Sequence, residues 1–164
     1  MFEARWPGAR PLAVDPAACA AAFRGYQGLT WNGSEAAVAM KSAALAAIPG
    51  LPDARQLQLL IREYRSLSWS GSARTVEIKQ VLLAAVGRLG REAGADLLLP
   101  EYMAIGWQGP DRGALKRRML VALSMTGTPR VQRALNAEYQ KLGWEDGDRK
   151  RVLFETLKAT RAAG

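Results

Sequence analysis

Apolar positions along this chain repeat in two registers, one of three to four residues and one of 37 to 38. Four residues before and three after each tyrosine stand alanine or an aliphatic residue. The sets are Ala22–Tyr26–Leu29, Leu60–Tyr64–Leu67, Leu98–Tyr102–Ile105 and Leu135–Tyr139–Leu142. Those offsets lie on one face of a helix, so each set predicts the buried stripe of an amphipathic helix ending near the next tryptophan. Five residues after each tyrosine comes Trp31, Trp69, Trp107 or Trp144, and successive tryptophans are 38, 38 and 37 residues apart. A fixed period in this range marks stacked units, each burying its apolar face against its neighbours.

A second helix is predicted after each tryptophan. Its apolar columns are Met40, Ile78, Leu115, Val152 and Leu45, Leu83, Leu120, Leu157, with Ala47, Ala85, Ala122 and Ala159 between them. Alanine kept in every unit predicts close approach of helix backbones. Asp15-Pro16 and Thr128-Pro129 read as an N-cap followed by proline at the first helical position, with Asp53 as the equivalent cap between them. Ser34, Ser72, Asp111 and Asp148 are the predicted caps of the intervening helices. Eight helices follow, over 16–29, 34–48, 53–67, 73–89, 94–105, 112–125, 129–142 and 148–162. Pro100 is expected to kink the fifth or shift its start, and GRLGREAGA reads as a helix-to-helix turn.

The tyrosine–tryptophan grid has two readings. One is a ladder of exposed indoles ready to stack on bases, sugars or proline-rich peptides. The other is local, and better explains the spacing. Gly106 and Gly143 precede Trp107 and Trp144, where a left-handed helix stop belongs. Tyrosine then falls at C3 and tryptophan at C″, the two positions that touch in a Schellman stop. Thr30 and Ser68 hold the glycine position in the first two units. This reading predicts that Trp69 and Trp107 are mostly buried.

The segment LKRRMLVALSMTGTPRVQRAL and, more loosely, IKQVLLAAVGRLGREAGADLL resemble the HEAT-type helical repeat. In that family a first helix ends in a pattern like A-L-x-x-x-G, a short turn carries Pro or Asp, and a second helix begins V-x-x-L. The resemblance covers residues 34–164 and extends loosely to 16–33; the Tyr/Trp grid departs from it. It implies an all-α fold, a right-handed α-solenoid of about eight helices in antiparallel pairs. One domain over 1–164 would comprise an irregular segment at 1–15 and units at 16–52, 53–92, 93–128 and 129–164. Because the array starts on a second-type helix and ends on a first-type one, a segment of a longer stack is a further expectation.

Composition narrows the chemistry. Histidine is absent and Cys19 is the single cysteine, which excludes an internal disulfide and removes the usual general base and zinc ligands. No metal or cofactor is expected. Cys19 lies on a buried stripe and reads as an inert core residue. Glu63, Glu101 and Glu138 precede three of the four tyrosines. Catalytic carboxylates usually occur once, in an asymmetric site, so a repeated one reads as a solvated flank or an intramolecular ion pair. No apolar run is long enough to cross a membrane, no signal peptide is evident, and a cytoplasmic protein is expected.

The expected function is non-enzymatic: a scaffold binding a protein partner through the face of the tyrosine-bearing helices, the side the HEAT family uses as its concave surface. Its candidate contacts are Gln58, Arg62, Arg65, Met103, Arg133 and Gln140. The formal net charge of +8 sustains an alternative, polyanion binding. Its candidates are Arg112, Lys116, Arg117 and Arg118 with Arg149, Lys150 and Arg151. A DNA glycosylase, an activity that some proteins of the resembled family have, ranks third. Val152, Leu153, Phe154 and Leu157 crowd one side of the last helix and raise self-association as a further expectation.

Overall fold

A computed structural model describes residues 14–51 and 53–164. Among the described residues the fold is all-α, with seven helices and no strand. These are α1 (Pro16–Gln27), α2 (Glu35–Ala46), α3 (Ala54–Arg65), α4 (Ala73–Ala104), α5 (Pro110–Thr126), α6 (Pro129–Lys141) and α7 (Gly147–Ala163). A 3₁₀ turn over Trp144–Asp146 leads into α7. Apart from Val14 and Asp15, the segment expected to be irregular lies outside the described residues.

Five helices start where their caps predict. Side-chain oxygens of Asp15, Ser34, Asp53, Ser72 and Thr128 accept from backbone N–H groups at the starts of α1, α2, α3, α4 and α6. Asp111 and Asp148 do not cap. They lie inside the first turns of α5 and α7, whose N-caps are Gly109 and Asp146. Gly109 has φ 89°, a conformation that disfavours aspartate, and Pro110 takes the first helical position.

The expected boundary between helices 73–89 and 94–105 falls inside α4, on one residue. Arg91 has φ 44° and ψ −123°. A Cβ built on Gly94 would lie 2.7 Å from the Val86 carbonyl oxygen. In an unbroken helix residues eight apart are separated by about 12 Å, so α4 folds back on itself at Arg91. Its two arms are residues 73–90 and 92–104. Pro100 sits within the second arm without the expected kink: Arg91, at the fold-back, is the single non-helical residue of α4.

α4 is the centre of the packing, with α3 on one side and α5 on the other, while α7 packs on α5 and α6, and α1 on α2. The column Leu45, Leu83, Leu120 and Leu157 is buried throughout. The alanine column is not uniform: Ala85 and Ala122 are buried, whereas Ala47 and Ala159 are exposed. Close approach occurs in the middle of the molecule, where a Cβ on Gly87 would come within 2.4 Å of the Ala122 carbonyl oxygen. Met40 is 60% exposed, unlike Ile78 in the same column.

Candidate functional site

Tyr26, Tyr64 and Tyr102 are the largest buried side chains of the core, and the three have similar surroundings. Tyr26, Tyr64 and Tyr102 donate their hydroxyls to Glu63, Glu101 and Glu138, each 36 or 37 residues ahead. The glutamate before each tyrosine therefore serves the preceding unit. Trp31 and Trp107 donate their indole N–H to the second oxygen of Glu63 and Glu138.

Between the rings lies a lysine. Lys41 Nζ is 4.7 Å from the Tyr26 ring centre and 4.8 Å from that of Trp31. Lys79 sits 4.5 and 5.0 Å from Tyr64 and Trp69, and Lys116 4.2 and 5.1 Å from Tyr102 and Trp107. All three lysines are buried. Lys41 pairs with Glu63 at 3.0 Å. Lys79 and Lys116 donate to the carbonyls of Leu67 and Ile105 at 2.7 and 2.8 Å, and Lys116 also lies 3.8 Å from Glu138. Each cluster of tyrosine, tryptophan, lysine and next-unit glutamate is a cross-link between successive units. A desolvated ammonium over an aromatic face contributes about 2 kcal/mol.

The electrostatics follow from this burial. Desolvation, reinforced by the neighbouring glutamate, pushes the phenols of Tyr26, Tyr64 and Tyr102 far above the ordinary tyrosine value. Burial lowers the Lys79 and Lys116 ammonium groups, partly offset by Glu101 and Glu138 respectively, and Arg149 lowers Lys116 further. The second cluster is less complete: the buried Trp69 Nε1 has no acceptor.

The helix stop expected at the tryptophans does not form. Left-handed glycines among the described residues are Gly33, Gly109 and Gly127, not Gly106 or Gly143. Ile105 and Leu142 end α4 and α6 in extended conformation, returning their N–H to the carbonyls of Tyr102 and Tyr139. Tyrosine and tryptophan are instead brought together by the lysine and the next unit's carboxylate. Trp31, Trp69 and Trp107 are half-buried against the core, so they do not form an exposed ladder.

The fourth unit departs from the other three. Leu153 stands where the lysine would be and is fully buried, while Trp144 is 90% exposed. Lys150 takes a looser position 5.3 Å over the Tyr139 ring, and Phe154 packs against that ring at 6.4 Å.

The candidate contacts Gln58, Arg62, Arg65, Met103, Arg133 and Gln140 are all exposed. Of the basic candidates, Arg112, Arg117, Arg118 and Arg151 are exposed, while Arg149 and Lys150 are half-buried. Lys116 is a correction. Its ammonium is enclosed by Tyr102, Trp107, Glu138 and the Ile105 carbonyl, so it is part of the core and unavailable to a polyanion. The apolar side of the last helix also turns mostly inward: Leu153 and Leu157 are buried, and Phe154 is half exposed. Cys19 is buried.

No protein-family model, curated protein or solved structure matches this chain. What the site does is therefore argued from its own geometry. The lysine column was missed in the sequence, although its signal is there: Lys41, Lys79 and Lys116 recur 38 and 37 residues apart, each directly after the apolar column of Met40, Ile78 and Leu115. No helix is long and apolar enough to cross a membrane, and no group of three or more metal-binding side chains occurs among the described residues.

Proposed function

We propose that this chain is a HEAT-like, right-handed α-solenoid of antiparallel helix pairs, about eight helices when the two arms of α4 are counted separately. It acts as a non-enzymatic interaction module for a protein partner. One observation carries the reading. The three buried tyrosines each donate to a glutamate of the next unit, Lys41 and Lys116 pair with two of those glutamates, and Lys79 braces its own unit at the Leu67 carbonyl. Their repetition serves a stiff stack, and a stiff stack of helices presents a broad, pre-organised ridged surface. On the tyrosine-bearing helices, Arg62 and Arg65 are exposed and open to a partner. A cross-linking search for a partner, followed by charge reversal at Arg62 and Arg65, tests the assignment to that face. Unchanged partner binding after reversal would remove that face.

A second reading, polyanion binding, is favoured by one arrangement. Arg117 of α5 shares one hollow with Arg149 of α7, beside Trp107, and a second with Arg151. Two basic clusters one unit apart in sequence thus become one patch across α5 and α7. Titration of labelled single- and double-stranded nucleic acid at low and near-physiological salt tests it. Binding that weakens steeply with salt supports the patch as a phosphate site; no binding at low salt removes it.

A further inference from the structure

Three hollows lie side by side across α2, the first arm of α4, α5 and α7. The first, between α2 and α4, is about 240 Å³ and is floored by Leu45, Val81, Ala84 and Met125. The second, between α4 and α5, is about 230 Å³, and Ala84 and Met125 line it too. The third, between α5 and α7, is about 440 Å³ and shares Val121 with the second. Shared walls make the three one trough, crossed by the ridge of Val121, which is 60% exposed.

Its floor is apolar and its rim is cationic. Arg118 borders the second hollow, and Arg117 and Arg151 border the third. Arg88 borders the first, where it also donates to the carbonyls of Leu45 and Ile48 at the end of α2. Glu155 lines the trough as well and pairs with Lys158 at 3.3 Å, while Arg151 pairs with Asp148 at 3.3 Å. This leaves Arg117 and Arg118 as rim cations without an ion pair among the described residues.

We infer that this trough is a docking site for an extended segment of a partner protein in which apolar and acidic residues alternate. The inference rests on the reading of the chain as a protein-interaction module, and it moves the contact from the tyrosine-bearing helices to the intervening ones. Alternation is what the geometry selects, because successive side chains of an extended strand point to opposite sides. Apolar side chains enter the hollows while carboxylates reach the arginine rim. Neighbouring helices stand about 9 Å apart, so crossing from α2 to α7 takes about eight extended residues. A nucleic acid fits this floor poorly. No aromatic ring lines the trough for a base to stack on, so a nucleic acid would meet only the arginine rim and leave the apolar floor unused.

The test is selection of random peptides, about a dozen residues long, displayed against the intact chain, with winners remeasured on variants. Val121→Glu and Arg118→Glu alter exposed residues, and thermal melts of both check that the fold is kept. Enrichment of acidic–apolar peptides that lose about tenfold or more in affinity on either variant is the expected result. Winners insensitive to both substitutions but lost on reversal of Arg62 and Arg65 would overturn the trough while leaving the interaction-module reading intact. No enrichment, together with salt-sensitive binding of a labelled oligonucleotide, would overturn both.

Discussion

The third and fourth aromatic pairs share their spacing but not their surroundings. Tyr102 is completely buried, its hydroxyl held by Glu138 at 2.7 Å, with Lys116 over its ring and Trp107 closing the cluster. Tyr139 is only partly buried, and Trp144 beside it is 90% exposed. Leu153 stands in the fourth where Lys116 stands in the third. An indole five residues after a tyrosine is thus not packed by the helix end alone. It packs where an ammonium lies between the rings, and in the first and third clusters a glutamate further along the chain also takes its N–H.

The alkaline limit offers the largest effect. Below pH 10 the three buried phenols are protonated in folded and unfolded chains alike. Above it the unfolded chain loses those protons while the folded chain, with raised values, keeps them. Stability is therefore lost as pH rises, at about 4 kcal/mol per pH unit for three protons. Lys79 and Lys116 act with opposite sign, because their lowered folded values mean that raising the pH relieves a cost. That gain is complete near the ordinary lysine value of about 10.5. Circular dichroism against pH, with tyrosinate absorbance in parallel, should show abrupt unfolding coincident with ionisation. Gradual tyrosinate formation at Tyr26, Tyr64 and Tyr102 in a folded chain would contradict burial of the clusters.

Next comes the carboxylate. Glu138→Ala strands the Tyr102 hydroxyl and the Trp107 indole N–H and leaves Lys116, still held by the Ile105 carbonyl, without its counter-charge, an expected loss of about 3–5 kcal/mol in chemical denaturation. A paired change, Lys116→Leu with Glu138→Gln, copies the leucine of the fourth unit while keeping an acceptor. It should recover most of that loss, since a buried ion pair contributes little net stability over a well-packed substitute. A double variant as unstable as Glu138→Ala would show that the charges themselves matter.

A smaller effect of opposite sign is expected at the fold-back of α4. Arg91→Gly relieves a non-glycine residue at φ 44° and should raise stability by about 1 kcal/mol. A decrease would mean that the arginine side chain makes contacts outweighing the strain. Smallest of all is Trp144→Ala, expected to change stability by less than about 0.5 kcal/mol. The matched Trp107→Ala should cost several times as much, and equal costs would erase the contrast between the two pairs.

Much of the helical framework was legible from local signals. Asp15, Ser34, Asp53, Ser72 and Thr128 cap helices because a short polar side chain meets backbone N–H groups two or three residues ahead. The same local reasoning failed at Gly106 and Gly143, since helix ends are set jointly by the turn and by what packs on it. Of the candidate site residues, exposure was inferred correctly for Arg62, Arg65 and Arg118, whereas Lys116 was misplaced. Its sequence neighbours Arg117 and Arg118 suggested a basic patch, yet the helix turns it inward, where two rings and a carboxylate compensate its burial.

By itself the sequence determined that the chain is helical and where most of its helices begin, because helix period and caps act over a few positions. Only the tertiary structure decided which glutamate serves which tyrosine, that the lysines are interior, and that α4 reverses at Arg91. The first depends on groups 36 or 37 residues apart meeting in space, and the second on enough burial around two rings to make an ammonium–aromatic contact favourable. No local pattern carries that information. The trough across α2, α4, α5 and α7 belongs to the same class, since it exists only between helices once they are packed.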